Sequence, residues 1–94
     1  MVARGPEAQV ELYVCNLAKK HGWENRKVSW VGRRGAHDRV FFGHGRCVWI
    51  EFKKLGAEPE GQQAREIARL KALYPEIYVS DNVRDALRLL GIDS

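Results

Sequence analysis

Asp38, Glu51 and Lys53 are the residues in this sequence whose types and spacing most directly suggest chemistry. Segments 38–42 and 46–53 are rich in Val, Phe, Ile and Trp, and Gly43-His44-Gly45 between them has the composition of a tight antiparallel turn. Closing that hairpin symmetrically around His44-Gly45 sets Asp38 directly opposite Glu51. Opposed residues have Cβ atoms about 4.5–5.5 Å apart, close enough for two carboxylates to hold one hard cation. Lys53 projects from the same face, two residues beyond Glu51. Taken singly, Asp38 at a strand start and Glu51 beside Lys53 or Lys54 read as solvated charges or a surface pair. Opposed on apolar strands, the two acids repel and require a proton, a cation or a metal between them.

The elements that must position this trio can be traced along the chain. Over 7–21 the apolar residues Val10, Val14, Leu17 and Ala18 follow a helical period that Gly22 ends. A short strand over 27–31 and a basic turn at 32–35 precede the hairpin. After a polar loop at 55–61, Ala64, Ile67, Ala68, Leu70 and Tyr74 mark a second amphipathic helix, stopped before Pro75. A strand over 76–80 and a last helix, capped by Asp81 or Asn82 and ended by Gly91, complete the order αβββαβα. The helix crossover lets the fourth strand lie parallel to the hairpin in a mixed sheet flanked by helices. On 46–53, Val48, Ile50 and Phe52 face one way, while Cys47, Trp49, Glu51 and Lys53 face the other.

Two further polar residues interrupt apolar helical arcs: Glu11 among Val14, Cys15 and Ala18, and Gln63 in line with Ile67, Leu70 and Tyr74. Each also fits an edge position. Glu7 shares the arc of Glu11 but sits where a glutamate complements the helix dipole, so Glu11 ranks above it.

The 94 residues suffice for one domain, 1–94, with a core so small that self-association adds to its stability. No apolar run approaches a membrane span and 1–7 has no signal-peptide centre, so a cytoplasmic protein with no membrane partner is expected. Cys15 and Cys47 lack zinc spacing and read as buried thiols, and His21 and His44 read as solvent residues. A net charge of +4 suits a polyanion. Arg26, Lys27, Arg33, Arg34, Arg39, Arg46, Lys53 and Lys54 crowd into 26–54, which favours phosphate contact.

Taken in order, Glu11, Gly35-Ala36-His37-Asp38, Glu51-Phe52-Lys53 and Gln63 resemble the virus-type replication-repair nuclease (VRR-NUC) family of the PD-(D/E)XK superfamily, its stand-alone phage members in particular. The resemblance runs from the helix carrying Glu11 through Ile77-Tyr78-Val79-Ser80 and the last helix. It implies an α/β fold with the PD-(D/E)XK nuclease core, and a metal-dependent endonuclease. Asp38, Glu51, the Phe52 carbonyl and Glu11 would then hold Mg²⁺, or Mn²⁺ in its place, with Lys53 and Gln63 beside the reacting phosphate. One departure is plain: His37 stands where the family usually has proline, which frees φ but removes no metal-binding carboxylate. His37 itself suits a loop or DNA contact better than a ligand, because Mg²⁺ prefers oxygen.

Small members of the family resemble Holliday-junction resolvases, which implies branched DNA as the partner. A homodimer would match two active sites to the two-fold symmetry of a four-way junction. Trp23, Trp30, Leu87, Leu89, Leu90 and Ile92 offer apolar material for its interface. The alternatives are a flap or duplex-end nuclease, and a non-catalytic DNA-binding domain whose acids support the fold. A metabolic enzyme is disfavoured, since there is no glycine-rich nucleotide loop, nucleophile elbow or zinc motif. Arg33, Arg34 and Lys54 flank the strand ends that bear the acids. Replacing any of them by Ala is expected to weaken binding to all DNA forms and flatten the dependence of affinity on salt. An unchanged salt slope in the triple variant would place the phosphate-binding surface elsewhere.

Overall fold

A computed structural model describes residues 6–29, 37–57, 59 and 61–92, with 29, 37 and 38 described through their backbone alone. The elements are α1 (Pro6–Lys20), β1 (Glu24–Ser29), β2 (His37–Gly43), β3 (Arg46–Phe52), α2 (Gly61–Leu73), β4 (Ile77–Ser80) and α3 (Val83–Leu89). They follow the expected order αβββαβα. Strand β1 departs from its expected bounds by starting at Glu24. The ladder to β2, in which Glu24 pairs with Phe42 and Val28 with Asp38, recruits Glu24, Asn25 and Arg26 although they show no apolar alternation. An edge strand is specified by its partner more than by its own hydrophobicity.

The strands form one sheet in the order β1-β2-β3-β4, antiparallel throughout except for β3 and β4, which run parallel. The hairpin turns on His44 and Gly45, both at positive φ (53° and 72°), as a two-residue turn of this hand demands. Gly43 cannot carry a side chain here, because a Cβ would lie 2.8 Å from the Gly22 carbonyl oxygen. The resulting register pairs Gly43 with Arg46 and Arg39 with Ile50.

One face of the sheet carries the core. Phe41, Val48 and Ile50 pack against Val14, Cys15 and Ala18 of α1 and Ala86 and Leu87 of α3, with Trp23, Leu90 and Ile92 closing the cluster. Four of the residues offered above as interface material, Trp23, Leu87, Leu90 and Ile92, are therefore spent inside this core and only 1–6% exposed. Leu89 packs at its margin, and Trp30 lies outside the described residues. Burial pushes the Cys15 thiol up to about 11, so it stays protonated and inert. Cys47 is only half-buried, less than expected. Helix α3 starts at Asn82, whose side chain accepts from the Asp85 amide.

The other face is covered by α2, which has no fully buried residue. At the hairpin end of the sheet, Arg46 donates to both carboxylate oxygens of Glu76 (2.7 and 3.0 Å) and to the Leu89 carbonyl (2.9 Å). It also lies over the Trp23 ring, which His44 meets in turn while remaining exposed to solvent, as expected. The Arg46 hydrogen bonds hold the Glu76 carboxyl below its ordinary value against the opposing effect of burial. A depressed carboxylate stabilises the fold above its unfolded-state pKa and loses that contribution as the pH falls through the lower folded-state value. Arg46→Ala is thus expected to cost about 1 kcal/mol at neutral pH, modest because both groups keep part of their surface in water. The variant should also show a shallower loss of stability on acidification, measured by urea melts across the acid range.

Candidate active site

Strand β3 delivers Glu51, Phe52 and Lys53 at the end of the sheet opposite the hairpin turn. Val48 and Ile50 anchor the strand in the core, and strict alternation turns Glu51 to the α2 face. The Phe52 ring packs on the core, which fixes the backbone between the two functional side chains. The β4 ladder fixes it from the other side, since Phe52 pairs with Ser80 and the Lys53 amide donates to the Ser80 carbonyl (2.9 Å).

Glu51 is only 7% exposed. A carboxylate so deeply placed needs partners, and α2 brings one. The Gln63 side-chain amide donates to Glu51 Oε2 at 2.6 Å, while its carbonyl oxygen accepts from Lys53 Nζ at 3.0 Å. Lys53 Nζ lies 3.0 Å from the same Glu51 oxygen, which closes a triangle of carboxylate, ammonium and amide. Gln63 thus joins both groups that the sequence placed at the centre.

The observed register, continued one residue past the Arg39–Ile50 pair, brings the backbone of Asp38 level with Glu51. The Asp38 side chain lies outside the description. Among the described residues no three His, Cys, Asp or Glu side chains converge, so a metal-binding set here requires Asp38 to join Glu51. The donors available are oxygens, which suits a hard divalent cation better than zinc. Arg33 and Arg34 also fall outside the described residues, while Lys54 is exposed just beyond β3.

Glu11 is drawn elsewhere. Its Oε2 accepts from Arg39 Nε at 2.9 Å and lies 3.6 Å from Lys27 Nζ, with Asn25 also on Arg39. Arg39 alternates with Asp38, so this cluster sits on the core side of the sheet and not on the Glu51 side. Arg39 is the residue that sequence reasoning missed as a partner. The available signal was an inward-facing arginine beside Phe41, which requires an acid just as Glu11 on its apolar arc requires a base.

No family model matches the chain. It is 35% identical over 77 residues to "Putative nuclease p44" of Acyrthosiphon pisum secondary endosymbiont phage 1, a match spanning 81% of this chain and 83% of that protein. A solved structure described as a VRR_NUC domain superposes with a TM-score of 0.80, covering 94% of this chain and 97% of its own at 24% identity. The sheet order and its three helices are those of that fold, and the phage relative carries the nuclease description. The chain is a nuclease that belongs to the virus-type replication-repair nuclease family.

Proposed function

We propose that the chain is an endodeoxyribonuclease that uses Mg²⁺, or Mn²⁺ in its place, to hydrolyse phosphodiester bonds in branched DNA, and that it works as a homodimer on four-way junctions. The observation that carries the reading is the Glu51–Lys53–Gln63 triangle, set at the sheet end where the hairpin register brings Asp38 level with Glu51.

Asp38, Glu51 and the Phe52 carbonyl are the oxygens that would hold the cation. When bound, such a cation lowers the pKa of a water and offsets charge on the pentavalent phosphate. Lys53 adds a fixed positive charge beside the same phosphate and orients the attacking water. Gln63 keeps Lys53 and Glu51 in one geometry, so that neither has to reorganise when substrate arrives. The exposed Lys54, with Arg33 and Arg34, would contact flanking phosphates.

The dimer reading draws on symmetry and on apolar surface that the monomer leaves in water: Phe42, Leu73 and Tyr74 are all exposed. Phe42 pairs with Cys47, whose carbonyl accepts from the Tyr74 hydroxyl, so two of the three are neighbours on one side. A monomeric flap or duplex-end nuclease is the second reading. It is favoured by the burial of Trp23, Leu87, Leu90 and Ile92 within the monomer.

Cleavage of labelled four-way junction, flap, splayed and duplex DNA, with Mg²⁺ or Mn²⁺ and with EDTA, tests the substrate and the metal together. Light scattering at micromolar protein tests the dimer. Paired cuts on the junction by a dimer are expected, and a strict monomer that prefers flaps selects the second reading. Asp38→Asn, Glu51→Gln and Lys53→Ala should each lower turnover by orders of magnitude with the circular dichroism spectrum unchanged. Near-wild-type turnover in both carboxylate variants would reject the site. Gln63→Ala should fall about tenfold to a hundredfold in kcat with little change in KM, as expected of a group that positions and does not bind. An equal rise in KM instead would make Gln63 a substrate contact.

A further inference from the structure

Helix α2 carries two arginines whose placement its own stability does not explain. Arg65 and Arg69 stand one turn apart, a like-charge pair at a spacing that disfavours a helix. Both are exposed, and neither enters a hydrogen bond or ion pair among the described residues. The first turn of α2 also lacks the acid that would complement the helix dipole. By contrast, Lys19 and Lys20 of α1 and Arg88 of α3 stand in the last turns of their helices, where the dipole favours a cation.

The contacts of α2 fix which way the pair points. The helix lies along β3, with Gln63 bonded to Glu51 and Lys53 at one end and Tyr74 to the Cys47 carbonyl at the other. Lys71 donates to the Pro75 and Ile77 carbonyls and lies over the Tyr78 ring, so its flank of the helix faces β4. At about 3.6 residues per turn, Gln62, Arg65, Glu66 and Arg69 fall on the flank opposite Lys71. In the sheet order β1-β2-β3-β4, that flank is turned toward β2 and β1. Phe42, on the same side of β2, stays exposed, so α2 does not reach across that half of the sheet. The four flank residues line an open recess of about 350 Å³. Glu66 is half-buried on the part of the flank nearer the sheet, which leaves the two guanidinium groups as the outer charge.

Resting on the reading of the chain as a deoxyribonuclease, we propose that this flank of α2, through Gln62, Arg65 and Arg69, is the track that holds the sugar-phosphate backbone of the DNA strand leading to the Glu51–Lys53–Gln63 triangle. The two arginines are about 6 Å apart along the helix axis, a separation comparable to that of successive phosphates on one strand. Each guanidinium can grip a phosphate through two parallel hydrogen bonds. Gln62 adds an amide donor at the end nearest the triangle. Such contacts read no base edge, so they hold any sequence alike. The helix that positions Glu51 and Lys53 through Gln63 then also aligns the strand to be cut.

The test is fluorescence anisotropy of a labelled DNA duplex titrated with the full chain in EDTA, over a range of salt concentrations, which reads binding without cleavage. Arg65→Ala/Arg69→Ala should bind about tenfold or more weakly than wild type, with a salt slope lower by about one for each arginine removed. Lys19→Ala/Lys20→Ala removes the same charge beside the hairpin turn, where the His21 carbonyl accepts from His44, and should leave affinity and slope near wild type. Arg65→Glu places an acid four residues before Arg69 and should melt higher than wild type while binding DNA more weakly. Equal losses in the two double variants would reduce the effect to net charge and overturn the proposal. A wild-type slope in Arg65→Ala/Arg69→Ala would overturn it too and leave the deoxyribonuclease reading standing. A wild-type chain that binds no DNA at any salt concentration overturns that reading, and the track with it. A lower melting temperature for Arg65→Glu would make Arg65 a structural residue and count against the track.

Discussion

The register of the β2–β3 hairpin is the constraint on which the rest depends. Two residues of positive φ, His44 and Gly45, and a glycine that cannot be replaced at 43 fix which residues of the strands face each other. Side chains alternate along a strand, so a slip of one residue would carry Glu51 and Lys53 into the core and expel Val48 and Ile50 from it. The hydrophobic core and the candidate site are consequently one decision. Any sequence change that relaxes the turn threatens both, although the turn lies at the opposite end of the sheet from the chemistry.

The two faces of the sheet are built on different principles. Helices α1 and α3 bury a continuous apolar cluster against one face. Helix α2 has no fully buried residue and is tied down by polar contacts near its ends: Gln63 to Glu51 and Lys53, and Tyr74 to the Cys47 carbonyl. Lys71 adds bonds to the Pro75 and Ile77 carbonyls. Regions with little apolar burial open at the least free-energy cost. The site thus sits between a rigid floor, supplied by β3, and a lightly held cover, supplied by α2. A cover held by hydrogen bonds can adjust more readily than a packed one.

Much of this was legible in the sequence because it rests on local rules. Helical periodicity marked α1 and α2, the glycine-flanked turn marked the hairpin, and counting back from that turn set Asp38 against Glu51. Gln63 was legible in part, as a polar residue on an apolar arc, though an edge position fitted that arc as well. What was not legible depends on pairing over long range. The start of β1 at Glu24 is dictated by β2. The burial of Trp23, Leu87, Leu90 and Ile92 depends on how α3 closes over α1, and periodicity does not say which apolar face finds a partner within the chain. The pairing of Glu11 with Arg39 was likewise not legible, because it joins a helix to a strand 28 residues away.

The same long-range pairing changes the meaning of the basic segment. Eight cations between residues 26 and 54 read in sequence as a single phosphate-binding cluster. In the fold, five of them lie beside acids: Arg26 on Glu24, Lys27 and Arg39 on Glu11, Arg46 on Glu76, and Lys53 on Glu51. A cation already paired within the protein releases few counterions when a phosphate approaches, so it adds little to salt-dependent affinity. Of the remaining three, Lys54 is exposed just beyond β3, and Arg33 and Arg34 lie outside the described residues. Helix α2 adds Arg65 and Arg69, which with Gln62 and Glu66 line an open recess one residue along from Gln63. These two exposed arginines lie on the side to which β3 turns Glu51 and Lys53, while Lys19, Lys20, Arg84 and Arg88 are exposed on the helices of the other face. Charge pairing thus engages cations on both sides of the sheet: Lys27, Arg39 and Arg46 on the core side, Arg26 and Lys53 on the other.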